Sequence, residues 1–139
     1  MIRVVADPGV FVSGLIGRRG GPPDLVLRAF VDDRIEVIAS PLLLAELEQV
    51  LRRPKFRRYV DEDRVREYVE RIQRHATVVD DPRDRPAVTR DPNDDHLVAL
   101  ARQERVDAIV SGDRDLLEAQ LAGLRVWTPR NLVERLRTS

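Results

Sequence analysis

Short apolar runs alternate with stretches of helical periodicity along this chain, and two of the runs end in an aspartate. Ile2–Ala6, Ile35–Ala39, residues 77–79, Ala108–Val110 and Val126–Trp127 are rich in β-branched residues and too short for buried helices, so they read as strands. Residues 10–16, 24–31, 40–52, 61–75, 94–104 and 115–122 read as helices, with a last one opening at Thr128-Pro129. Ser40-Pro41 and Thr128-Pro129 are strong helix starts, a capping hydroxyl followed by proline in the first turn. Strands and helices in alternation specify an α/β fold with a mostly parallel sheet and right-handed crossovers. Ligands of such folds sit beyond the carboxyl ends of the strands, where this order puts Asp7 and Asp113.

Composition narrows the chemistry. A length of 139 residues is expected to form one domain, 1–139, with a substantial core. There is no cysteine, which excludes disulfides, thiolate zinc sites and a cysteine nucleophile. Aromatic residues are only 4% of the chain, too few for an extended base-stacking platform. Formal charge balances at zero, unlike a generic nucleic-acid coat protein. No apolar stretch approaches a membrane span, and Met1-Ile2-Arg3 leads into a strand rather than a signal peptide, so a cytoplasmic setting is expected.

The acids form an ordered set: Asp7 after one apolar run, Glu46 on a helix, Asp94-Asp95 opening another, and Asp113 after a later run. Glu46 lies beside the stripe of Leu43, Leu47, Val50 and Leu51, at the border of a buried face. Asp94 falls three and four residues before Leu97 and Val98 and so points with their buried arc, whereas Asp95 points to its edge. Gly112 before Asp113 allows a tight turn and a close approach to a ligand. Each acid has a structural alternative: an arginine pair for Glu46, and helix capping for Asp94, Asp95, Asp113 and Asp115. Taken together, hard oxygen ligands with two histidines and no cysteine suit Mg²⁺ or Mn²⁺ and point to metal-assisted phosphodiester chemistry. His96 is expected to point away from the buried arc, towards solvent. The densest basic stretch, Arg52, Arg53, Arg57 and Arg58, is either a phosphate contact or a solvated loop.

These segments resemble the PIN-domain family, in its branch of toxins from bacterial and archaeal toxin–antitoxin pairs (VapC-like ribonucleases). The resemblance rests on Val4-Val-Ala-Asp7 with residues 10–15, on Ser40 to Leu51 around Glu46, on Arg90-Asp-Pro-Asn-Asp-Asp95 with residues 97–101, and on Asp107 to Leu117 around Asp113. It implies a three-layer α/β/α fold and a Mg²⁺- or Mn²⁺-dependent endoribonuclease. Asp7, Glu46, Asp94 and Asp113 are the implied catalytic acids, with Asp95 and Asp115 as further candidate metal ligands. Ser13 and Ser111 would support the site by hydrogen bonds. The implied partners are RNA, held by Arg52, Arg53, Arg57 and Arg58, a cognate antitoxin, and a second copy of the chain. The chain departs from the family pattern after the first acid, where Pro8-Gly9 stands in place of a polar pair such as Thr-Asn. A second reading therefore stays open, a PIN-like module that binds metal, RNA or a partner without turnover.

Overall fold

The computed structural model describes residues 1–138. Five strands, β1 (Ile2–Ala6), β2 (Ile35–Ala39), β3 (Thr77–Val78), β4 (Ala108–Val110) and β5 (Val126–Trp127), form one sheet in the order β3-β2-β1-β4-β5. Every pairing is parallel. Seven helices flank it: α1 (Pro8–Ile16), α2 (Pro22–Val31), α3 (Pro41–Leu51), α4 (Glu62–His75), α5 (Pro92–Gln103), α6 (Arg114–Glu118) and α7 (Pro129–Thr138). The result is the expected three-layer PIN-like α/β/α architecture, with a sheet parallel throughout rather than mostly so.

The strand order explains the layers. From β1 the chain steps outward through β2 to β3, then returns to the other side of β1 to lay down β4 and β5. Right-handed crossovers in opposite directions put successive helices on opposite faces. Accordingly α1, α2, α3, α4 and α7 contact one another on one face, while α5 packs on β1 and β4 and α6 packs by β5. The reversal lies between β1 and β4, the position at which open parallel sheets leave a crevice.

Burial follows the same logic. Val4, Val5, Ile38 and Ile109 are covered from both faces, and Leu100 of α5 is fully buried over β1 and β4. β3 is an exposed edge strand of two residues, one shorter than its sequence suggests. α5 begins at Pro92 because Asp91 caps it, accepting from the Asn93 amide at 2.9 Å, so Asp94 and Asp95 occupy its first turn rather than opening it. α6 stops at Glu118, short of the expected 122, where Ala119 turns extended. No helix among the described residues is long and apolar enough to cross a membrane.

Leu100→Ala removes a side chain wedged between α5 and the two central strands. It is expected to cost about 3 kcal/mol of unfolding free energy, read as a lower urea midpoint at unchanged slope.

Candidate metal centre

Register brings the site residues to one level. Ala6 pairs with Val110, and Val110 with Trp127, so the next residues, Asp7, Ser111 and Thr128, leave the carboxyl edge side by side. The Asp7 amide donates to the Val110 carbonyl at 2.9 Å and the Ser111 amide to the Trp127 carbonyl at 2.9 Å, which fixes both main chains. The fully buried Ser111 hydroxyl then donates to Asp7 Oδ2 at 2.8 Å and accepts from the Asp113 amide at 3.0 Å. One hydroxyl thus ties together the acids of two strand ends.

Asp7 also caps α1, its Oδ1 accepting from the Gly9 amide at 3.1 Å. The main chain of the Pro8-Gly9 turn thus gives the acid one hydrogen bond that does not depend on the side chains at these positions. Asp113 likewise caps α6 through the Asp115 amide at 2.9 Å. Gly112 does not have positive φ, and a Cβ built there meets nothing within 4 Å, so the turn itself does not demand glycine. Its effect is to leave the approach to the acids open.

Asp94 reaches the same point from the first turn of α5. One carboxylate oxygen from each of Asp7, Asp94 and Asp113 lies within 4.8 Å of the other two. Burial, and then the charges of Asp7, Asp91, Asp113 and Asp95, push the Asp94 carboxyl up to about 6. Glu46 is half-buried on α3 and lies outside this triple cluster but within its field. Burial, then Asp7, Asp91 and Asp94, raise it to about 7, against a smaller opposing effect of Arg53. Acids pushed towards neutrality by one another are the electrostatic mark of a cation site, and an all-carboxylate donor set fits Mg²⁺ or Mn²⁺.

The other candidates divide. Asp95 is not at an exposed edge. It is buried, and its Oδ1 accepts from the Val88 and Thr89 amides at 3.0 and 2.7 Å and from the Thr89 hydroxyl at 2.8 Å. The Thr89 hydroxyl first, and the two amides with it, hold the Asp95 carboxyl below its ordinary value. His96, expected at the surface, is also buried, with Nε2 at 3.0 Å from Asp81 Oδ1. Both departures have one cause: the segment 79–91 folds over the outer side of α5, burying a face that helical periodicity leaves to solvent. Asp115 is exposed and lines the cleft beside Asp94 and Asp113. Ser13 is exposed and lines a second cavity beside Asp7 and Asp113.

Among the basic residues, Arg53 is the one that acts on the site's acids, through Glu46. Arg52 is bound to Glu48 at 3.0 Å and Glu62 at 3.8 Å, Arg58 lies 5.0 Å over the Tyr59 ring, and Arg57 lines a hollow with Asp61 and Glu62. Asp91, given no role at the site from the sequence, also bears on it. Asp91 contributes to the raised pKa of both Glu46 and Asp94. Its place in the run Asp91-Pro-Asn-Asp-Asp95, one helical turn before Asp94, was the available signal.

The PIN domain family model matches residues 3–115. An uncharacterised protein of Methanocaldococcus jannaschii is 29% identical over 143 residues, covering 96% of this chain and 90% of the relative. Among solved structures, a protein from Pyrobaculum aerophilum aligns over all of this chain and 91% of its own with a TM-score of 0.66 at 14% identity. VapBC2 from Rickettsia felis, solved bound to a DNA fragment from its promoter, gives 0.64 at 12% identity over 91% of this chain and 98% of that one. FitAcB from Neisseria gonorrhoeae gives 0.58 at 15% over the same shares. At these identities the solved structures establish the fold.

Two outcomes follow from the electrostatics. Glu46 and Asp94 have ordinary values of 4.5 and 3.8 but about 7 and about 6 in the folded chain. Between those limits the folded state holds more protons than the unfolded one, so its stability falls as pH rises and levels off above the folded values. In EDTA the melting temperature should therefore drop from about pH 5 to about pH 7, and Glu46→Gln should flatten the upper part of that fall. Separately, Ser111→Ala should weaken Mn²⁺ binding by about 10–100-fold in calorimetric titration, because Asp7 loses its orienting donor.

Proposed function

We propose that this chain, which belongs to the PIN-domain family, is a Mg²⁺- or Mn²⁺-dependent endoribonuclease and the toxin of a toxin–antitoxin pair. The observation that carries the reading is the convergence of Asp7, Asp94 and Asp113 within 4.8 Å at the sheet's switch point, with Asp94 raised by burial and then by its acidic neighbours. When bound there, a divalent cation supplies Lewis acidity towards a phosphate and makes water a usable nucleophile near neutral pH.

The chain's own residues supply the rest. Asp7, Asp94 and Asp113 hold the cation, and Asp115 and Asp95 are not needed for the set of three. Ser111 and the Gly9 amide hold Asp7 in one orientation. Glu46, half-buried on α3 and near enough to Asp7 and Asp94 to feel their charge, is the candidate to take a proton from the attacking water. Arg53, with Arg52, Arg57 and Arg58 beyond it, offers positive charge to RNA phosphates on the α3 side.

The toxin assignment draws on the resemblance to the toxin branch of the PIN-domain family, with the fold shared by VapBC2 and FitAcB consistent with it. An antitoxin would act here by presenting an arginine to the acid cluster, a bidentate partner that competes with the cation. With RNA as substrate and such a partner, the protein would act in the cytoplasm. The alternative, a module without turnover, is favoured by Pro8-Gly9; against it, Asp7 keeps a side-chain donor in the Ser111 hydroxyl beside the Gly9 amide.

Purified protein should cut single-stranded RNA with Mg²⁺ or Mn²⁺ and not with EDTA, and Asp7→Asn should lower the rate by at least about 10²-fold. Induced alone in a bacterial host, the wild type should arrest growth and the variant should not. Cleavage undiminished in the variant would remove Asp7 from the chemistry; growth unimpaired by soluble wild type would end the toxin assignment.

A further inference from the structure

Two cavities flank the acid cluster and share Asp113. Their charges differ. Apart from the three acids of the cation site, the cleft on the α6 side keeps Asp91, Asp115 and Glu118 against Arg90 alone. The cavity on the α1–α7 side has no further carboxylate and contains Arg130. A polyanion crossing the acids therefore meets net negative charge on one side and net positive charge on the other. Coulomb repulsion closes the first side to phosphate and leaves the second.

Arg130 is placed there by the sheet. Trp127 ends β5 level with Val110, and Thr128-Pro129 turns the chain into α7, so the second residue of that helix stands beside Asp7 and Asp113. The Thr128 hydroxyl already accepts from the Asn131 amide at 3.0 Å, so that amide of the helix terminus is engaged. Arg130 itself is exposed and makes no hydrogen bond or ion pair among the described residues. A cation in the first turn of a helix opposes the helix dipole. Arg130 is thus a residue that the fold positions but does not use, and that costs rather than adds stability. Around it, Val10, Pro22, Pro23 and Pro129 give the cavity an apolar wall, and Ser13 and Thr128 give it hydroxyls.

We propose that this cavity is the binding subsite for the nucleotide adjoining the scissile phosphate of a single-stranded RNA. Arg130 holds the next backbone phosphate, and the proline wall receives the sugar and base. The identity of the ligand rests on the nuclease reading, but the subsite is tested by binding, which is independent of turnover.

The experiment is fluorescence anisotropy of labelled single-stranded RNA with wild type, Arg130→Ala, Arg130→Lys and Arg90→Ala. It is run in Ca²⁺, with the RNA checked for integrity afterwards. Arg130→Ala should weaken binding about tenfold for all sequences alike and lower the salt slope by about 0.7, the value for one single-strand phosphate. Arg130→Lys should recover part of the affinity, and Arg90→Ala should lose none. Melting temperatures of the Arg130 variants should match or exceed that of wild type. Unchanged affinity and slope in Arg130→Ala, an equal loss in Arg90→Ala, or no RNA binding by wild type at any length would each overturn the subsite. Cleavage assays on the same proteins are read separately. RNA held through Arg130 but not cut would refute the nuclease and leave the subsite; RNA cut with Arg130→Ala binding normally would do the reverse.

Discussion

Parallel pairing of β1 with β4 is the constraint on which the remaining geometry depends. It places the ends of two strands distant in sequence at one level, and each strand is followed, at once for β1 and after Ser111-Gly112 for β4, by an aspartate that caps a helix. Asp7 caps α1 and Asp113 caps α6, so two helices run away from a single point with their acids left behind. Two carboxylates in that position repel, and Asp94 from α5 adds a third. The Ser111 hydroxyl relieves part of the repulsion by donating to Asp7 while taking the Asp113 amide. It leaves the third carboxylate uncompensated, and that residue of negative charge is what a divalent cation would neutralise.

Much of this was legible in the sequence, for reasons that differ by residue. Asp7 and Asp113 follow apolar runs, and a parallel sheet makes the end of a strand a place in space as well as in sequence. Asp94 and Glu46 were legible from helical spacing, because the apolar stripes of α3 and α5 face the sheet edge from which they project. What spacing does not carry is the path of an irregular segment. The stretch 79–91 has no periodicity, yet it covers α5 and changes the surroundings of three residues. It buries His96 against Asp81, gives Asp95 three donors, and carries Asp91 to the rim of the acid cluster. All three departures from expectation trace to that loop, and none to a misplaced strand or helix.

The Pro8-Gly9 turn shows how a side-chain pattern can change while a geometric task persists. Proline at the first helical position has no amide to satisfy, and its fixed φ suits the helix start. The next amide, that of Gly9, is then the one directed at Asp7. Any residue but proline has that amide, so this contact is set by the cap and not by the side chain at position 9. A Cβ there would sit 3.8 Å from Asp7 Oδ1, an ordinary contact. Motif reading scores the loss of a polar pair; the main chain explains why the loss need not release the acid.

Asp94 and Asp95 make the same point about chemistry. They are neighbours on one helix turn, identical in side chain, and their carboxyls move in opposite directions. Asp95 receives three donors, so its charge is stabilised and it fastens the loop to α5. Asp94 is surrounded by Asp7, Asp91 and Asp113, so its charge is destabilised unless a cation joins them. An anion satisfied by the protein has little to offer a metal, whereas one that the protein leaves in repulsion gains from binding it. The difference between the two aspartates is therefore fixed by the donors each one meets, and of the two it is Asp94 that the fold leaves with its charge unsatisfied.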